Sequence, residues 1–270
     1  MRRALIFQTV LALAVLALPG AASATPTVDI VKAEAVPIPG FPHTGDILGA
    51  GTAARIEATI EGNEYFGSPP PIIGVNVYEP VGVKLHPSGF PTCDANTIEV
   101  LGPVACPKGS AMGPVGKAVG FVTIGGERVE EAAELFTFFA PGGGGFVLAD
   151  GRSPVSLELL ATERLVKAGD SDGSGPEASF SVPLVASLPG APYASIRSID
   201  LEVGSAYRSH GHTIYYARLP TTCPQGGWPA RGEVIFAEDG EPALPETVDV
   251  SVKLPCPNEK AAHRSEGAHA

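Results

Sequence analysis

Thr247-Val248-Asp249-Val250-Ser251-Val252-Lys253-Leu254 reads as a β-strand with one dry face and one wet face. Successive side chains of an extended chain point to opposite sides, so aliphatics on every second residue gather on one face. Thr247, Asp249, Ser251 and Lys253 take the other face. The same period occurs in Ala54, Ile56, Ala58 and Ile60 against Arg55, Glu57, Thr59 and Glu61. It returns in Ile199, Leu201 and Val203 against Ser198, Asp200 and Glu202.

Further strands are expected at Ile72 to Tyr78, Val115 to Ile124, Val155 to Val166, Phe180 to Val185, Thr213 to Arg218 and Gly232 to Ala237. Between them lie turn clusters: Ser68-Pro69-Pro70-Pro71, Gly142 to Gly145 and Asp170 to Pro176. The 33 Gly and 27 Pro make up about a fifth of the 270 residues, against a usual share of about 12%. Such punctuation suits many short strands joined by turns, and the 44% hydrophobic content is enough to build a core. Glu130-Glu131-Ala132-Ala133-Glu134-Leu135 holds good helix formers, yet it runs into Phe136 and Phe138 and is read as the start of a strand. The fold class expected is all-β, an antiparallel β-sandwich-like arrangement with room for two packed β subdomains divided near residues 187–195.

Working outward to the chain ends, Met1-Arg2-Arg3 is followed by an apolar run from Ala4 to Leu18, then Pro19-Gly20 and the small triplet Ala22-Ser23-Ala24. This is the charged, apolar and cleavable layout of a secretory signal peptide, so residues 1–24 are expected to be removed. The apolar run is shorter than the roughly 20 residues a spanning helix needs, and no transmembrane segment is expected after leader cleavage. Residues 25–256 form the expected secreted β-rich domain, and the polar, aperiodic stretch 257–270 a disordered tail. Removing Arg2 and Arg3 with the leader reduces the 18 basic residues to 16 against 29 acidic ones, a formal charge of −13. A surface this anionic repels phosphate backbones, which argues against nucleic-acid binding.

Cys93, Cys106, Cys223 and Cys256 allow three pairings. Export favours oxidised cysteines, and the sequence-local pairs Cys93 with Cys106 and Cys223 with Cys256 are expected because each closes a small loop around a coherent segment. A zinc site is the rival reading, but close C-x-x-C pairs are missing. His210-Gly211-His212 places two imidazoles on one side of an extended strand, yet Ser209 to His212 reads better as a hairpin tip. Asp170, Asp172 and Ser174 match the first half of a calcium loop. Pro176 and Ser181 occupy the positions where its second half fails, so an acidic turn is expected and no metal is assigned.

No catalytic constellation is complete. Gly151-Arg152-Ser153-Pro154 breaks G-x-S-x-G, and a proline after the serine removes an N–H that an oxyanion hole needs. Acidic residues are abundant enough for a glycosidase-type carboxylate pair, but none is singled out by its surroundings in the sequence. Gly142 to Gly145 lacks the lysine and helix of a phosphate loop, and no cofactor is expected. Leu244-Pro245-Glu246-Thr247-Val248 departs from a sortase signal at Val248. Trp228, Tyr215 and Tyr216 are candidate sugar-stacking rings, although a lone Trp near a disulfide more often packs in a core.

Several stretches act in combination: His86-Pro87-Ser88-Gly89-Phe90-Pro91-Thr92-Cys93, Gly102 to Ser110, Gly125 to Glu131, Ser153 to Glu158, Thr213 to Tyr216, Cys223-Pro224-Gln225-Gly226-Gly227-Trp228-Pro229 and Cys256-Pro257. Together they resemble a family of uncharacterised secreted proteins from high-GC soil actinobacteria. The resemblance implies a secreted fold with bridge-forming cysteines and no inherited active site; the Asp170 to Glu177 loop looks like an addition to it. The function expected is therefore non-enzymatic, secreted or cell-envelope-associated surface interaction or structure, with an envelope component or extracellular glycan as partner. A carbohydrate-binding module is the alternative, and a secreted hydrolase the third.

Overall fold

The computed structural model describes residues 25–166 and 175–257. The proposed leader, the Asp170–Ser174 half-loop and all but the first residue of the proposed tail lie outside the described residues. Among the described residues fifteen strands form in chain order: β1 (Thr27–Val36), β2 (Gly51–Glu61), β3 (Ile72–Tyr78), β4 (Lys84–Leu85) and β5 (Gly116–Ile124). After these come β6 (Glu127–Phe139), β7 (Gly145–Ser153), β8 (Leu157–Val166), β9 (Glu177–Ser181) and β10 (Ser195–Val203). The last five are β11 (Ala206–Ser209), β12 (His212–Tyr215), β13 (Ala217–Arg218), β14 (Trp228–Ala237) and β15 (Pro245–Leu254). A short α-helix, α1 (Ala95–Leu101), interrupts the series.

All pairings are antiparallel, as the alternating pattern requires. The main sheet runs β15-β14-β3-β9-β8-β7-β6-β5-β10-β2-β13-β4, with β1 on the other side of β2. It folds over on itself, since β1 at one end lies close to β15 at the other. Ile60 of β2, Ile72 of β3 and Val234 and Phe236 of β14 therefore share one core cluster, against which Val28, Ile196, Val248 and Val250 pack. That face-to-face packing makes the architecture sandwich-like. Residues 187–195 connect β9 to β10 within this same sheet.

β15 alternates exposed and half-buried residues along its whole length, as Thr247 to Leu254 predicts. The helix-forming stretch at 130–135 is strand, because Gly116 to Ile124 pairs with all of it and Leu135 joins the buried set. Cross-strand hydrogen bonds and burial outweigh a local helical preference there. β1, β4, β7, β11 and α1 fall outside the expected elements. β7 carries Gly145, Asp150 and Gly151, residues that depress strand propensity but are tolerated between two partner strands. Glu131 is buried on this sheet and is satisfied by accepting bonds from Ser153 N (3.0 Å) and Val155 N (3.2 Å).

Both local disulfides are formed, Cys93–Cys106 and Cys223–Cys256, and no described cysteine is free. The first ties α1 onto the sheet and the second ties the start of β14 to the end of β15. By loop-closure entropy each contributes about 2–4 kcal/mol.

Candidate functional site

The structure separates the aromatic residues that the sequence suggested as a stacking platform. Trp228 is 3% exposed, packs with Ala35 and Leu219 beside Cys223, and donates its indole N–H to Thr222 O at 2.8 Å. Tyr216 is buried in another cluster with Phe90, Met112 and Phe139. Tyr215 is half-buried, with the Arg218 guanidinium 4.9 Å from its ring centre and the ring pressed against Gly51. The three rings face three environments and make no common platform. The physical reason is ordinary: a large ring gains more from core burial than from display.

His210 and His212 are exposed at the β11–β12 hairpin, where His210 and Gly211 both take positive φ, the conformation of a tight two-residue turn. Among the described residues no group of three His, Cys, Asp or Glu is placed to hold a metal ion.

What the fold does build is a cap on the outer face of β6, β7 and β8. Asp94 starts α1 by accepting a bond from Thr97 N at 2.9 Å, and this bond holds its carboxyl below the ordinary carboxylate range. Gly102, at φ 79°, ends the helix; a short 3-10 turn over Pro103–Ala105 then leads to Cys106 and back to Cys93. One side of the cap is dry: Ile98 is fully buried and packs with Cys93, Phe138 and Leu148. The other side is wet yet apolar, with Val104 94% exposed and Val100, Leu101 and Val115 each more than half exposed. An open cleft of about 200 Å³ lies there, bounded by Pro103, Val104, Pro114 and Val115, with Phe136 and Phe138 of β6 among its lining residues. Single exposed aliphatics are unremarkable, but a contiguous group around a cleft is the usual mark of an interaction surface.

Sequence reasoning also missed a carboxyl pair in the interior. Register aligns Phe139, Gly145 and Glu163 across β6, β7 and β8, so the buried Phe139 and Glu163 side chains share the inner face on either side of Gly145. Gly145 leaves room for the Glu163 carboxyl, since a Cβ there would come within 2.4 Å of Glu163 Oε2. Tyr216 O–H donates to Glu163 Oε1 at 3.5 Å. Glu79, just past β3, is half-buried as a residue but has an enclosed carboxyl. Burial pushes both carboxyls up to about 7; the Tyr216 bond opposes this for Glu163, and the charge of Glu79 adds to it. Tyr216 is itself pushed well above its usual value, first by burial and then by the two acids. Neither this cleft nor the shallower depression beside Tyr65 is lined by Glu79 or Glu163.

The fold and cap thus define a disulfide-bonded antiparallel β-sandwich with an apolar surface cleft. Comparison with family models, curated proteins and solved structures finds no match. Function is therefore argued from the site alone.

Proposed function

We propose that this chain is a non-enzymatic secreted or cell-envelope-associated protein that works by surface interaction, with the disulfide-tied cap as its binding face. The observation that carries this reading is the open apolar cleft lined by Val104 and Val115, with Val104 on the same disulfide-closed segment as the exposed Val100 and Leu101. Holding the aliphatics in place beforehand reduces the entropy lost when an apolar segment of an envelope component docks. The two disulfides fit an oxidising compartment, and no helix among the described residues is long and apolar enough to cross a membrane. The interior carboxyls add little to a hydrolase reading, because burial keeps both largely protonated below neutrality and away from either depression.

Co-sedimentation of the purified protein with isolated cell envelopes tests the proposal. The wild type is expected to pellet, and the double variant Leu101→Asp/Val104→Asp to remain in the supernatant with an unchanged melting temperature. Equal partitioning of the two proteins would remove the cap from consideration.

A further inference from the structure

Phe66 is 72% exposed and sits at φ 51°, a backbone region that a bulky aromatic seldom occupies. It forms the tip of a tight turn with Gly67 (φ 77°), closed by reciprocal backbone bonds between Tyr65 and Ser68 at 3.0 and 2.9 Å. The ring is held edge-to-face on Tyr65, with centroids 4.9 Å apart. Tyr65 in turn is 6% exposed, accepts a bond from Tyr193 N at 2.9 Å, and lies so close to Gly240 that a Cβ there would come within 2.8 Å of its ring. A residue in a strained backbone conformation on an anchored base thus displays its ring to solvent.

Beside this ring lies a shallow depression on the outer face of β5 and β6, lined by Phe121, Arg128, Tyr193 and Phe66 among others. Arg128 stands 4.6 Å from the centre of the Phe121 ring, and the backbone of Gly67 comes close to its guanidinium. The nearest acid along β6 on that face, Glu130, is already bridged to Arg197 at 2.9 Å. No described carboxylate makes an ion pair with Arg128. The Arg128 guanidinium is charge-complementary to an anion.

We propose that the Phe66–Arg128 depression binds an acidic saccharide, with a uronate ring stacked on Phe66 and its carboxylate on Arg128. The apolar face of a pyranose carries partly positive C–H groups that fit the negative face of an aromatic ring. A planar guanidinium takes a carboxylate through paired N–H donors, and Phe121 behind it keeps the plane oriented. The shallowness suits a chain of sugars lying along the surface better than a small molecule enclosed in a pocket. This site shares β6 with the cap but uses none of the cap residues, so it stands or falls independently of the function proposed above.

Calorimetric titration at 0.15 M salt with tetragalacturonate and tetramannuronate, and with the methyl ester of the former, tests the proposal. The wild type is expected to bind at least one free acid, and to bind tetragalacturonate more tightly than its methyl ester. Phe66→Asn keeps the turn, because asparagine tolerates positive φ, and should weaken binding tenfold or more. Arg128→Gln should abolish the preference for the acid over its ester. Circular dichroism melts confirm that both variants remain folded. Failure of both free acids to bind at millimolar concentration would overturn the proposal. So would an undiminished affinity in either folded variant, or a preference for the ester.

Discussion

Glu163 shows how much one buried residue can govern. It is 7% exposed, and its carboxyl meets the Tyr216 hydroxyl and the charge of Glu79 with no cation in the cluster. Its pKa rises from 4.5 to about 7 on folding, so its contribution to stability is fully present below about pH 4.5 and is lost as pH rises through about 7. At about 1.4 kcal/mol per pKa unit, the loss at alkaline pH is on the order of 3 kcal/mol. Glu163→Gln keeps a side chain able to pair with Tyr216 and removes the ionisation. The melting temperature of this variant should exceed the wild type at pH 8.5 and approach it at pH 5.5, and parallel curves across that range would refute the assignment. None of this is visible in the sequence, where Glu163 is one of 29 acids and sits in an ordinary alternating strand. Its inward direction becomes evident only from the register with Gly145 and Phe139.

At the scale of elements, the cap and the strand beneath it depend on each other. α1 has seven residues, too few to be stable alone in water, and its helical state is secured by the Asp94 cap, the buried Ile98 and the Cys93–Cys106 bridge. Replacing both cysteines by serine should lower stability by about 3 kcal/mol. Amide exchange should speed up across 95–106 while β14 and β15 keep their protection; uniform loss of protection across the sheet would show the cap to be integral to the core. The strands are the most legible elements: period-2 alternation in burial runs along all of β15 and the Ala58–Glu61 end of β2, whereas β10 is half-buried on both faces over Ser198–Val203. β7 was not legible: its Gly145 and Gly151 serve neighbours, making room for Glu163 and Glu131, and weaken its own strand signal. At the Tyr65–Ser68 turn the sequence marks only a proline-rich cluster beginning at Ser68, since exposure and backbone strain at Phe66 belong to the folded chain.

Across the whole molecule, the core cluster of Ile60, Ile72, Val234 and Phe236 joins strands from both ends of the chain. Phe236 is fully buried there, and Phe236→Ala should cost about 3–5 kcal/mol. Trp228 is the single tryptophan and lies in a separate cluster by the second disulfide, so its fluorescence reports on a different part of the core. Because one continuous sheet links these regions, fluorescence and far-ultraviolet circular dichroism should give coincident denaturation curves in both wild type and variant. Two separated transitions would mean that the sheet is divided into independent subdomains.

The amino-acid sequence by itself determined the all-β class, the wet and dry faces of the most regular strands and the local pairing of the four cysteines. These follow from nearest-neighbour chemistry: side-chain period, turn residues and short loop closures. Only the tertiary structure decided which strands meet, and with them the inward carboxyl pair, the apolar cap cleft and the exposed Phe66 beside Arg128. Those features join residues far apart in the chain, and their directions follow from cross-strand register and from packing between the folded-over ends of the sheet, which no local pattern encodes. Trp228, Tyr215 and Tyr216 make the same point in reverse, since neighbours of similar chemistry in the sequence were sorted by packing into three separate environments.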